Sequence, residues 1–451
     1  MPLLLLSVLL AGPALPQEDD RVRQLETRVE AQARELEAQR RFIEELRAWL
    51  AGRTASAPSR ELAGELRRLD AALGEAPLPD SGRRRPPPSG VSVGGYFTLQ
   101  FVTEEGRNST FDAVRLVPQI SGEIAPDLKF STEIEFEHGG VADFLDDGEI
   151  AIEYAELRWS LDPALAPKVG VLLIPFNRFN LVHDDPLNEL NDRPFVARHV
   201  VPSAFGQPGF GVEGAFAGEG GIPLNYDLVV SNGFDEAFTT NDGSREARAP
   251  FNEDNNHDKA LFARVGFVPP LPLLDAADLG ASFNTGKYDN EGKRGCVGYG
   301  VDWFLRKGPL DLLGEWAAID LERRPGDGPP ALDLNGNGVL GDVPGEFDLP
   351  RGLHGLYAQA NFHFLPEAWR GRRPFTEESE FTLAVRFDTS DLNDRVVGAT
   401  PRDDREAWTV GINFRPVRKT AIKASYQWIR TPFDGPDDVG NAFVLGVSTY
   451  F

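Results

Sequence analysis

The stretch Leu128-Lys-Phe-Ser-Thr-Glu-Ile-Glu-Phe-Glu137 decides the fold. Leu128, Phe130, Ile134 and Phe136 alternate with Lys129, Ser131, Glu133, Glu135 and Glu137. Successive side chains on a strand point to opposite faces, so a period of two describes a strand with one apolar and one charged face. The period recurs on both sides of this stretch. Upstream, Val91, Val93, Phe97, Leu99 and Phe101 share a face opposite Ser92, Tyr96, Thr98 and Gln100. Downstream, Ile422, Ala424, Tyr426 and Trp428 oppose Lys423, Ser425 and Gln427. About 16 such segments fill residues 91–451, which suits strands of about 10 residues with a turn on one side and a loop on the other.

The connections alternate between short and long. Short ones include Ala125-Pro-Asp127, Lys307-Gly-Pro309 and Pro416-Val-Arg-Lys-Thr420, while residues 138–149, 175–207, 232–258, 322–350 and 389–405 are long and acidic. The connections at 268–278 and 364–379 are longer than the rule for their side. Short turns at one end and long loops at the other are the pattern of an outer-membrane barrel. Trp159, Trp303, Trp316, Trp408, Tyr426 and Trp428 sit near strand ends on the apolar face, where aromatic girdles meet the bilayer interfaces. The last segment, with Phe443, Leu445, Val447, Thr449 and Phe451 on one face, ends on an aromatic residue as barrel assembly signals do. A soluble sandwich is the rival, but a strongly charged second face and about 16 strands exceed what a sandwich uses.

Composition excludes other classes. The chain of 451 residues carries a net charge of −24, so it lacks the basic footprint of a nucleic-acid binder. Its single cysteine, Cys296, excludes a disulfide framework and a cysteine-based zinc site. The apolar run Met1–Ala11, followed by the small residues Gly12-Pro-Ala14, reads as a signal peptide over residues 1–16. Val22, Val29, Leu36, Ile43 and Leu50 then recur every seven residues, with Leu25, Gln32, Gln39 and Leu46 on the second seam. This predicts an α-helical coiled coil over 20–52, with a single amphipathic helix as the rival reading. Residues 53–90 hold a short amphipathic helix and a linker stiffened by Pro86-Pro87-Pro88. Residues 1–90 are charge-neutral, so the acidic excess belongs to the barrel region. The expected fold is therefore all-β: a 16-stranded antiparallel transmembrane β-barrel over 91–451, preceded by the coiled coil.

Arg115-Leu-Val-Pro-Gln-Ile-Ser-Gly122, Val169-Gly-Val-Leu-Leu-Ile-Pro-Phe176, Arg193-Pro-Phe195 with Gly209-Phe-Gly-Val212, and Gly411-Ile-Asn-Phe-Arg-Pro416 occur in that order. In these stretches the chain resembles the phosphate-selective porin O/P family and related porins of Gram-negative outer membranes. The resemblance covers residues 91–451. It implies a 16-stranded barrel, assembled as a homotrimer, with the third loop folded into the pore. The preceding coiled coil resembles those that precede some sugar and dicarboxylate porins, which implies a periplasmic position and contact with envelope components.

By that resemblance the third loop, residues 175 to about 207, forms the pore constriction, and charges at a constriction set which ions pass. It carries Arg178, His183, Asp184, Asp185, Glu189, Asp192, Arg193, Arg198 and His199. A solvated surface loop is the rival reading. Alternation places Arg115, Lys129, Arg158, Arg264, Arg306, Arg386, Arg415 and Lys423 on the polar face, together with Glu133, Glu135 and other acids. Such a mixed lumen under acidic loops is no dedicated anion funnel. The expected function is an outer-membrane porin, a passive diffusion channel for small hydrophilic solutes or ions, general or weakly cation-preferring. A phosphate- or anion-selective channel is the first alternative, and a structural envelope-tethering barrel with an incidental pore is the second. An enzyme is not expected, since no Ser/His or Asp/His pair stands out at a rim.

Asp333-Leu-Asn335-Gly-Asn337-Gly opens as a calcium loop does, but Pro344 occupies the twelfth position, where an EF-hand has Glu. Asp333, Asn335, Asn337 and Asp342 are thus a candidate structural calcium site, with a Gly/Asn turn as the rival. No other cofactor is expected. Gly90-Val-Ser92-Val-Gly94 matches a nucleophile elbow by spacing alone, since no helix follows it.

Overall fold

Each strand hydrogen-bonds to its neighbours in sequence, and the last returns to the first, so the sheet closes without an edge. The computed structural model describes residues 90–139, 148–217, 222–239, 242–322, 351–394, 405–430 and 440–451. The chain divides into two units, Met1–Arg85 and Pro86–Phe451, and every described residue lies in the second. The signal peptide, the coiled coil, the Pro-rich linker up to residue 89 and the calcium-like loop fall outside the described residues.

The sixteen strands are β1 (Val91–Glu104), β2 (Thr110–Ala125), β3 (Leu128–Glu137), β4 (Glu149–Trp159), β5 (Ala166–Leu173), β6 (Gly206–Ala217), β7 (Pro223–Ser231) and β8 (Ala260–Phe267) on one side. On the other are β9 (Ala276–Lys287), β10 (Gly295–Lys307), β11 (Leu310–Leu321), β12 (Gly352–Phe364), β13 (Glu380–Asp394), β14 (Arg405–Val417), β15 (Thr420–Ile429) and β16 (Ala442–Tyr450). All pairs are antiparallel. Short connections such as 126–127, 308–309 and 418–419 gather at one end, the turn end, and the loops gather at the other, the loop end. Residues 389–394, expected in a loop, extend β13 instead.

Outward faces are apolar and bare. Phe97, Leu99, Val265, Leu383, Val385, Ile412, Ile422 and Leu445 are all exposed on the outer wall. An apolar surface that encircles a barrel is far larger than a soluble monomer leaves in water and matches a hydrocarbon surrounding. Inward faces carry Arg115, Lys129, Glu133, Glu135, Arg158, Arg264, Arg306, Arg386, Arg415 and Lys423. A bulge in β4 changes its parity. Glu133 pairs with Tyr154 and Ile134 with Ile152, so Glu153 is the extra residue of β4. Glu149, Ala151 and Glu153 point inward before it, and Tyr154, Glu156 and Arg158 after it.

The interior differs from the expected polar lumen over its loop-end half along β5–β12. There, inward Leu172, Val229, Phe262, Ile319, Leu321 and Leu353 form an apolar core with Ile174, Phe176, Val200, Val201 and Phe205 from the connection between β5 and β6. Phe234 and Phe238, from the loop between β7 and β8, complete it. Phe205 stacks on Phe234 at 4.9 Å between ring centroids and meets Phe262 edge-on at 5.7 Å. Burial of aromatic rings is a strong reason for these loops to fold into the barrel.

Candidate functional site: a partition across the lumen

The connection 174–205, loop three, traverses the barrel interior and is anchored around its wall. Its first anchor is on β9–β11. The Asn177 backbone N–H donates to Ser282 Oγ at 3.0 Å, and Asn177 Nδ2 donates to the Trp316 carbonyl at 3.1 Å. Gly300 on β10 is required here, because a Cβ would lie 1.8 Å from Asn177 Oδ1. Arg178 pairs with Asp278, and the Phe179 N–H donates to Glu315.

The second anchor faces β14–β16 and β1–β4. Lys423 Nζ donates to the carbonyls of Asp185 and Leu190 at 2.6 and 3.4 Å. Tyr450 donates to Asp184 at 2.8 Å, and Arg415 to Glu189 at 3.0 Å. Asn191 donates to Ser425 at 2.9 Å and to the Val444 carbonyl at 3.1 Å. Gly446 leaves room for this, since a Cβ would lie 2.2 Å from Asn191 Oδ1. Arg115 pairs with Glu135, with Glu137 at 2.7 Å and with Asp185 at 3.2 Å. Burial pushes the Asp185 carboxyl up, but the Arg115, Arg193 and Lys423 charges outweigh it and hold it below its ordinary value. His183 is buried with Nδ1 3.0 Å from the Asn180 carbonyl and Nε2 3.1 Å from Glu153. Burial lowers its pKa, but the Glu153 charge and hydrogen bond more than reverse this and leave it raised. Two acceptors facing the two ring nitrogens suit the doubly protonated imidazolium.

The third anchor joins loop three to β13 and to the loop 232–259, loop four. Arg386 Nη1 donates to the Asp192 carbonyl at 2.7 Å, and the Phe195 N–H donates to Asp388 at 3.2 Å. Ser244 of loop four donates from its N–H to the His199 carbonyl at 2.8 Å and from Oγ to the Val200 carbonyl at 3.0 Å. Loop four, read from sequence as an external acidic loop, therefore packs on loop three. His199 Nε2 accepts from Arg405. Burial and the Arg405 and Arg198 charges hold His199 well below its ordinary value. Burial also lowers Arg198, against the charge of Asp192 and with that of Arg245.

Two of the cavities inside the barrel border residues 192–194. The turn-end cavity, of about 290 Å³, is lined by Arg178, Glu189, Asp192, Pro194, Arg306, Asp311, His363, Glu380 and Arg386 among others. The loop-end cavity, of about 230 Å³, is lined by Glu135, Glu137, Glu149, Glu153, Arg193, Arg245 and Arg248 among others. Asp192 and Pro194 face the first cavity and Arg193 faces the second, so residues 192–194 partition them. Each cavity is lined by four carboxylates and three guanidinium groups. Arg193 donates Nη1 to the Ser203 carbonyl at 3.1 Å, while its buried Nε and Nη2 have no hydrogen-bond partner among the described residues.

Most inward charges are paired: Lys168 with Asp227 at 2.7 Å, Arg158 with Glu213 at 2.6 Å, Arg264 with Asp302 at 2.6 Å, Arg306 with Asp311 at 2.6 Å and Arg386 with Asp388 at 2.6 Å. Among the described residues, no group of three His, Cys, Asp or Glu side chains is arranged to hold a metal ion. Sequence reasoning missed Lys168, Arg245, Arg248 and the role of loop four. Arg245 and Arg248 of loop four signalled it, standing close together among its seven acids.

No family model matches the chain. An uncharacterized protein of Aquifex aeolicus (strain VF5) is 25% identical over 354 residues, which is 75% of this chain and 75% of that protein. Among solved structures, the Salmonella typhi OmpF complex with daunomycin is 10% identical, with a TM-score of 0.48, over 80% of this chain and 97% of that one. The outer membrane channel DcaP of Acinetobacter baumannii is 12% identical, with a TM-score of 0.46, over 80% and 97%. An anion-selective porin from Comamonas acidovorans is 12% identical, with a TM-score of 0.44, over 80% and 99%.

Proposed function

We propose that the protein is an outer-membrane porin, a passive channel for small hydrophilic solutes or ions, in which residues 192–194 form the constriction. One observation carries this reading. A closed barrel with a bare apolar outer wall encloses charged cavities, two of which meet the segment 192–194 from opposite sides. Solutes would pass between the cavities at Arg193 without chemistry and without a cofactor. Four carboxylates against three guanidinium groups at the loop-end cavity support a weak preference for cations, and the pairing of inward charges supports poor discrimination. Assembly as a homotrimer, a periplasmic coiled coil and calcium at Asp333, Asn335, Asn337 and Asp342 belong to the same reading and rest on the sequence.

A second reading, an anion- or phosphate-selective channel, is favoured by the partition itself. Arg193 Nε and Nη2 make no hydrogen bond among the described residues, Nη2 standing 3.9 Å from Glu135, and the Arg198 and Arg245 charges lie close enough to act on one another. Planar-bilayer recording of the purified protein under a salt gradient separates the two. Stepwise conductance with a reversal potential slightly favouring cations supports the first. A reversal potential favouring anions, with current blocked by phosphate, replaces it with the second. Folded protein that conducts nothing would overturn both and leave an envelope-tethering barrel.

A further inference from the structure

The turn between β12 and β13 spans residues 365–379. It folds outward onto the barrel wall. Phe364, Phe381 and Phe414 lie on the outer faces of β12, β13 and β14, with Phe381 stacked on Phe414 at 4.7 Å. Trp369 and Phe375 of the turn stack on each other at 5.0 Å, and Phe375 meets Phe414 edge-on at 5.7 Å. Trp369 still leaves 44% of its surface exposed. An amphipathic ring cluster at a strand end marks the level of the lipid headgroups.

Arginines surround the cluster. Arg370 is engaged, at 3.5 Å from Glu367 and 3.9 Å from Glu377. Arg372 and Arg373 are exposed, and their side chains have no ion pair or hydrogen bond among the described residues. The neighbouring turn is tied to this one, because Ser379 Oγ and Thr376 Oγ1 donate to the Pro416 carbonyl at 2.8 and 3.1 Å. That turn adds Arg418 and Lys419, both exposed and likewise unpaired. Against these four cations stands one unengaged carboxylate, Glu378. A net positive cluster on a chain of net charge −24, set beside lipid-facing rings, is the arrangement that attracts an anionic headgroup while acyl chains lie on the rings.

We propose that the turns 365–379 and 418–419 form a binding site for an anionic phospholipid of the leaflet at the turn end. Its phosphate would be held by Arg372 and Arg373, and its chains would lie against Trp369 and the Phe381–Phe414 stack. The proposal rests on the membrane-spanning reading. The test places the full chain in vesicles of phosphatidylcholine containing brominated phosphatidylglycerol or brominated phosphatidylcholine. Quenching at Trp369 is isolated by difference from Trp369→Phe. Wild type is expected to prefer phosphatidylglycerol several-fold. The double variant Arg372→Ala/Arg373→Ala is expected to lose that preference by about fivefold or more, and the double lysine variant to keep most of it. Equal quenching by the two lipids, or no change in the alanine variant, would overturn the site. So would displacement of phosphatidylglycerol by millimolar inorganic phosphate, which would mean a free-anion site. Flotation of the vesicles reports separately on the spanning reading: protein that does not float with them would overturn that reading itself.

Discussion

Loop three meets two different walls. Along β5–β12 at the loop end it is held by rings and aliphatic side chains, with Phe205, Phe234 and Phe262 in mutual contact. Along β13–β16 and β1–β4 it is held by hydrogen bonds and ion pairs, in which Lys423, Arg115, Arg386 and Tyr450 each reach a named group of the loop. On the apolar wall the rings pack directly on one another. The polar wall borders both cavities, through Arg386 and Glu380 at the turn end and Glu135 and Glu153 at the loop end. The difference teaches a division of labour: apolar burial holds the loop inside the barrel, and the charged contacts fix where its partition stands.

The contrast can be broken from either side. Phe262→Ala removes a fully buried ring from the apolar wall and is expected to cost about 4 kcal/mol. Denaturant unfolding in detergent would show it; a loss below about 1 kcal/mol would mean that these rings do not anchor the loop. On the polar wall, Arg115→Ala leaves Glu135, Glu137 and Asp185 without their shared cation, and about 3 kcal/mol is expected. Restoration of stability by a further Asp185→Asn change would show that the cost is unpaired charge; no restoration would assign it to lost packing.

The smallest expected effect is on pH dependence, and it has opposite signs at the two histidines. His183 has a raised pKa in the folded protein. Its contribution is full below the unfolded value of 6.5 and fades as pH rises through the folded value. His199 has a lowered pKa, so its site loses stability as pH falls through 6.5, where the unfolded chain takes up a proton that the folded one refuses. Thermal unfolding of His183→Gln against wild type, between about pH 5 and pH 9, should show a gap that is widest in acid and narrows in base. A gap that widens with pH would mean that His183 is neutral in the fold.

Much of the architecture was legible in the sequence, because a period of two survives wherever one face of a strand meets lipid and the other meets polar groups. Leu128–Glu137 shows this, with its period of two kept along the whole strand. The signal failed where both faces are apolar. Val169-Gly-Val-Leu-Leu-Ile174 has no alternation, and its structure explains why: Leu172 and Ile174 enter the inner core while Val169 stays on the outside. The bulge at Glu153 was also illegible, since inserting one residue leaves composition unchanged while it reverses facing. The residues of loop three were found by resemblance, but which of them separates the cavities was not. Asp192, Arg193 and Pro194 differ from their neighbours only in what Arg386, Asp388 and Ser203 do to the backbone and side chains around them.

The most direct test compares single-channel conductance of wild type with Arg193→Ala and Phe262→Ala. If residues 192–194 are the constriction, Arg193→Ala widens it and removes the positive charge that stands 3.9 Å from Glu135. Its unit conductance should then rise several-fold, and its reversal potential should move further toward cations, while Phe262→Ala leaves the unit conductance near that of wild type. An unchanged conductance in Arg193→Ala, or a larger rise in Phe262→Ala, would contradict the account and move the passage to the apolar side of the loop.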